Sequence, residues 1–261
     1  DLFRGQHTGR DAACVAMLRN AGAVIMGKTV TTELANTCPS KTRNPHNPEH
    51  TPGGSSAGSG AAVADFHVPL ALGTQTAGSV IRPGSFNGIH ALKPTVGRIP
   101  RDGVLMQSHT LDTVGVFGRS VEDLALITDS LSDFGASNLS RYGARHPDLL
   151  SAMKQEAPAP RFAFLETPAW PEADAGAREA IEGVAAGLGA QCVRESLPSP
   201  FDRIIDFHGA VGAGEILAYY GHHAEASPDK VSDLLKARLA ESRQFDAGDY
   251  VAALLAREPL H

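Results

Sequence analysis

Between Pro52 and Pro83 the chain carries two glycine-rich turns, PGGSSAGSG over 52–60 and GTQTAGSVIRP over 73–83, and each presents serines. No other feature limits the fold so tightly. Glycines at this density free the backbone for tight bends and let another chain segment come close. The small residues from Ser56 to Ala64 suit a helix packed hard against a neighbour, and the apolar run Val68 to Leu72 reads as a strand. Helix, strand and turn are therefore expected to alternate through this stretch, as in an α/β protein.

The flanking sequence extends the pattern. An apolar helix is expected from Arg10 to Asn20, stopping at Gly22, and Ala23–Met26 reads as a buried strand. Asn36 to Gly54 is dense in Pro, Asn, Ser, Thr and His and has no periodicity, which marks a loop. Asp112 to Phe117 is apolar, and Ser120-Val-Glu-Asp123 is a capping box before the run Leu124 to Leu131. A connector follows from Gly135 to Pro160. Beyond it comes a strand–helix–strand unit, with strands at Arg161–Glu166 and Gln191–Glu195 around a helix over Ala173–Leu188. Helices are expected again over Phe201–Tyr220, Ser232–Ser242 and Tyr250–Arg257. The domain reading is 1–135 for the part with both serine turns, 136–160 for the connector, and 161–261 for a continuation of the same domain.

Several functions lose support at once. The chain has 261 residues, 42% of them apolar and 20% charged, so it can bury a core. Its formal charge of −6 provides no basic footprint for nucleic acid. No apolar run approaches the ~18 residues of a membrane span. Cys14, Cys38 and Cys192 lack C-x-x-C spacing and leave one unpaired in any disulfide scheme, which favours a reducing compartment and a cytoplasmic reading. The eleven histidines include no ligand spacing that suggests a metal, and no cofactor is implied. Gly22 to Thr29 matches G-x-x-x-x-G-K-[ST] by letter, but a helix precedes it and its variable residues are apolar, so a phosphate loop is rejected and Lys28 is read as capping a buried strand.

The chemistry lies in the serines. A serine hydroxyl attacks well only when another group takes its proton, and no histidine stands convincingly beside either turn. A second hydroxyl can pass that proton on, a role open to Ser55. Ala77 and Gly78 ahead of Ser79 leave the backbone free to approach a substrate and to aim N–H groups at a developing oxyanion.

The strings TPGGSSAGSGAAVA, GTQTAGSVIRPGSFNG, ALKPTVGRIPRDGV and LDTVGVFGRSVEDLAL, in that order, resemble the amidase-signature family, closely from Arg10 to about Ser132 and more loosely beyond. The resemblance implies an α/β/α sandwich around a mixed central β-sheet, incomplete in this chain, and a Ser–cis-Ser–Lys triad. It implies that Ser79 is the nucleophile, that Ser55 is the bridging serine with a cis bond to Gly54, and that the N–H groups of Thr76, Ala77, Gly78 and Ser79 form the oxyanion hole. Arg82 and Asp112 are expected to pair and brace the Ser79 turn. Ser56 is open between closing its turn on backbone and joining the relay.

The family's lysine lies upstream of the helix near which this chain begins. Lys28 and Lys93 belong to other family motifs, so the chain is expected to lack both the lysine segment and the C-terminal part and to be nearly inactive in isolation. The implied reaction is hydrolysis of a small-molecule amide through a seryl acyl-enzyme, without cofactor, nucleic acid or membrane, and with a homodimer left open. The alternatives are a glutamine-hydrolysing component of a tRNA-dependent amidotransferase and a catalytically silent binding protein.

Overall fold

A computed structural model of the chain describes residues 2–36, 38–132 and 148–257. The residues group into two compact units, one of 1–154 with 215–241 and one of 155–214 with 242–261. The connector expected over 136–160 lies outside the described residues up to position 147.

In the first unit the order is α1 (Ala13–Asn20), α2 (Ala57–Ala64), β1 (Ala71–Gln75), α3 (Ile81–Phe86), β2 (His90–Leu92), β3 (Thr113–Gly118), α4 (Val121–Leu131) and α5 (Leu149–Ala152). β3 is the centre of a three-stranded antiparallel sheet, with β1 on one side and β2 on the other. Gly73 faces Gly115 and Gln75 faces Thr113, while Leu92 of β2 faces Val116. Every residue of β3 is buried. Its Val114 and Val116 join Cys14 of α1 and Leu124, Ile127 and Leu131 of α4 in one core cluster. Phe117 joins Val63 of α2 and Val80 in another. Helix α4 begins with both halves of the expected capping box, the Asp123 amide donating to Ser120 Oγ and the Ser120 amide donating to Asp123 Oδ2.

Two glycines permit close approach. A Cβ on Gly58 would lie 2.6 Å from the Val30 amide nitrogen, and one on Gly73 would lie 2.5 Å from Ser56 Oγ. The small-residue helix therefore packs directly on backbone.

The first unit closes with the end of α7 (Ile204–Ile216), a π turn over Leu217–Gly221, α8 (His222–Ala226) and most of α9 (Asp233–Ser242). Ile216, Tyr220, Val231, Leu235 and Leu239 form a third cluster, which Leu34 joins. In the second unit β4 (Phe162–Leu165) and β5 (Cys192–Glu195) pair in parallel, with α6 (Ala175–Leu188) between them in sequence. The unit also holds most of α7, over 204–214, and α10 (Ala247–Leu255). Among the described residues no helix is long and apolar enough to cross a membrane.

Three expectations need correction. Ala23–Met26 is neither a strand nor buried: it pairs with nothing in either sheet, and Val24 and Met26 are 82% and 74% exposed. Apolar content alone cannot supply the neighbouring strand that a ladder needs. Lys28 accordingly caps no strand; α1 does precede Gly22 as expected, and residues 23–31 take no regular element, so the geometry of a phosphate loop is missing. The strand placed at Val68–Leu72 starts at Ala71 and runs on to Gln75, because Pro69 has no amide to donate, whereas Gly73, Thr74 and Gln75 find partners in Gly115, Val114 and Thr113 of β3. The sequence gives no signal for α3 and β2, since Pro83 and Gly84 make the α3 stretch read as turn.

Candidate active site

The first serine turn leads into α2. The Gly54–Ser55 peptide bond is cis, as the resemblance implies. Three donors hold the Ser55 carbonyl, namely the Thr32 amide at 3.0 Å, Thr31 Oγ1 at 2.8 Å and the Ala57 amide at 2.8 Å. The Ser55 side chain is different. Ser55 is 3% exposed, and its Oγ has no hydrogen-bond partner among the described residues. A buried hydroxyl without a partner costs about 1–3 kcal/mol, so it stands out as an atom with an unmet role.

Ser56 is fully engaged. Its Oγ accepts from the Thr74 amide at 3.3 Å and lies 3.4 Å from the Thr74 carbonyl, stitching the first turn to β1. Its amide donates to the Ser79 carbonyl at 3.3 Å, which links the two serine turns directly. The hydroxyl of Ser56 thus closes the turn on backbone.

The second turn runs out of β1. Gln75, at the end of the strand, folds its side chain back over the turn: Oε1 accepts from the amides of Val80 and Ile81, both at 2.9 Å, and Nε2 donates to the Ala77 carbonyl at 2.8 Å. Val80 is fully buried against Val63 and Phe117, which anchors the residue beside Ser79 in the core. Ser79 itself is half-buried and Ala77 is exposed. Among the described residues the backbone N–H groups of Ala77, Gly78 and Ser79 make no hydrogen bond. Three adjacent unpaired donors in a bent turn suit an anion better than a neutral ligand.

Arg82 and Asp112 do not pair. Asp112 Oδ1 accepts from Thr76 Oγ1 at 2.6 Å, and Oδ2 accepts from the amides of Gln107 and Ser108. Its oxygens are already engaged, and Arg82 instead donates to the Gly54 carbonyl at 3.3 Å. Each residue still braces a serine turn, but a different one. Lys93 donates to the Pro94 carbonyl at 2.8 Å, and burial lowers its pKa. Neither it nor the exposed Lys28 bonds to Ser55.

The expected residues Ser55, Ser56, Gly54, Thr76, Ala77, Gly78, Ser79 and Arg82 come together around the two turns, with Asp112 behind Thr76. Gln75 braces the turn from inside the motif, a role that its place in the sequence alone does not show. Nothing local in the sequence flags the Gln107–Ser108 loop. Among the described residues no cluster of His, Cys, Asp or Glu is arranged to hold a metal ion.

A small-residue helix, an antiparallel sheet and two linked serine turns around a cis peptide define an α/β protein of the amidase-signature fold. The chain belongs to the amidase family, whose model matches residues 2–257. It is 35% identical over 254 residues to a component of the glutamyl-tRNA(Gln) amidotransferase of Clostridium botulinum, covering 91% of this chain and 52% of that protein. The chain thus spans about half the length of the curated relatives it matches. A component of a vestigial protein complex bearing on the origins of an s-triazine catabolic enzyme superposes with a TM-score of 0.85 at 28% identity, over 98% of this chain and 57% of that one. A 6-aminohexanoate cyclic dimer hydrolase bound to its substrate superposes at 0.75 and 26% identity, over 96% of this chain and 56% of that one.

Proposed function

We propose that this chain carries the two-serine centre of an amide hydrolase, with Ser79 as nucleophile and Ser55 as its proton relay. The observation that supports this most directly is the buried, unpartnered hydroxyl of Ser55 on a cis turn joined to the Ser79 turn. In this reading Ser79 Oγ attacks the amide carbonyl carbon while its proton passes to Ser55 Oγ, and Ser55 hands its own proton to a base. The family resemblance supplies that base as a lysine from an upstream segment.

The carbonyl oxygen gains the negative charge and meets the free N–H groups of Ala77, Gly78 and Ser79, where each donor is worth about 3 kcal/mol in the transition state. The C–N bond then breaks, the nitrogen leaves with the returned proton, and water releases the acid from Ser79. The centre uses only hydroxyls, amides and an amine, so it calls for no cofactor.

The test is amide turnover by the whole protein, followed as ammonia or amine release. Ser79→Ala should lose at least about three orders of magnitude in kcat. Retention of full turnover would defeat the assignment. The similarity to a glutamyl-tRNA(Gln) amidotransferase component favours a second reading in which the amide is that of glutamine and the protein acts with partner proteins. Ammonia release from glutamine that appears only on adding such partners would select it.

A further inference from the structure

We propose that Glu215 is a positioning residue for the oxyanion turn, acting at a distance through the loop Met106–Asp112; this rests on the amide-hydrolase reading above. Glu215 sits near the end of α7, is 6% exposed, and has no part in the serine chemistry. Its carboxylate accepts from the Ser108 hydroxyl in a close contact, and from the amide and hydroxyl of Thr110, both at 3.2 Å. Ser108 is fully buried, and its Oγ also accepts from the Leu111 amide at 3.1 Å, so one carboxylate organises the middle of the loop.

The loop in turn organises Asp112. The amides of Gln107 and Ser108 donate to Asp112 Oδ2 at 2.7 and 3.0 Å, which leaves Oδ1 aimed at Thr76 Oγ1, 2.6 Å away. Thr76 opens the turn whose next three N–H groups are free. Two further anchors steady the same loop: Arg101 donates to the carbonyls of Asp112 and His109, and Tyr220 Oη donates to the Met106 carbonyl at 2.6 Å.

A buried carboxylate is costly unless its donors are in place, and charge-assisted bonds weaken steeply with displacement. The network therefore favours one loop position, and Asp112 transmits it to the turn. An oxyanion hole acts chiefly in the transition state, so a small misplacement appears in kcat rather than KM.

The experiment is a double-mutant cycle in the whole protein, measuring kcat and KM for one carboxamide substrate with Glu215→Gln, Thr76→Val and the pair. The carboxamide of the first variant can keep an oxygen where Ser108 and Thr110 meet Oε2, but it loses the charge that strengthens those bonds. We expect Glu215→Gln to lower kcat about tenfold or more with KM within about twofold, and to add less than about twofold once Thr76 is already Val. Unchanged kcat, or two losses that simply multiply, would overturn the proposal. If Glu215→Gln does not give a folded protein, Ser108→Ala takes its place in the cycle under the same criteria. Ser79→Ala runs alongside: if it keeps full turnover the hydrolase reading fails and this proposal with it, whereas loss of turnover there with no effect of Glu215→Gln sinks the positioning role alone.

Discussion

Gln75 shows how one side chain can set the shape of a serine turn. Its amide supplies an acceptor for two backbone N–H groups and a donor for one carbonyl, all within six residues of itself. The Val80 amide it satisfies belongs to a fully buried residue, so removing the acceptor leaves a donor with no route to water. Gln75→Leu should cost about 2 kcal/mol of stability by urea denaturation and lower kcat as the turn loosens. Ser56 makes a useful contrast with Ser55. Because Ser56 Oγ is engaged with Thr74, Ser56→Ala should remove about 1 kcal/mol of stability, while Ser55→Ala removes a buried unpartnered hydroxyl and should raise stability by about 1 kcal/mol or more while lowering turnover. Thermal melts beside turnover assays on the two variants separate those outcomes.

Among the elements, α4 owes its start to local chemistry. The capping box satisfies its first amides, and Asp123 also accepts from the Arg119 amide at 3.0 Å. Ser120→Ala should destabilise the protein by about 1 kcal/mol in equilibrium unfolding. The π turn after α7 is of another kind. Tyr220 lies within it, and its hydroxyl reaches the same loop that Glu215 reaches from α7. Burial, and then the neighbouring charge of Asp112 and Tyr219, push the Tyr220 hydroxyl up to about 12.

The sign follows from linkage. A pKa raised on folding contributes stability that is complete below the unfolded value near 10 and is lost as pH climbs from there through about 12. The protein should thus hold an advantage of about 1 kcal/mol over Tyr220→Phe below pH 10 and lose it above. Melting curves of the two proteins at pH 9 and pH 11.5 check this, and parallel curves at both would refute it.

For the whole molecule, burial is uneven in a way that predicts local stability. β3 is buried throughout and paired on both sides, whereas α6 contains no buried residue and leaves Ile181 and Val184 half-exposed or more. Amide hydrogen exchange should find β3 the slowest strand and β4, β5 and α6 much faster, since protection follows buried contacts and paired neighbours. Equal protection across both sheets would contradict this.

What was legible in the sequence had local causes. The capping box at Ser120, the small-residue helix after Ser56 and the glycine-rich bends depend on residues a few positions apart, and each element is found close to its expected place. Ala23–Met26 misled because a strand is defined by its neighbour, and an apolar run carries no information about whether one is there. So the sequence by itself determined which residues bend and cap. Only the tertiary structure decided that Ser56 is engaged while Ser55 is left open, that Asp112 takes Thr76 from 36 residues away rather than Arg82, and that Glu215 meets Ser108 across 107 residues. The physical reason is that a hydrogen bond requires geometry and burial at one point in space, and a pairing between distant positions leaves no periodic trace in the chain.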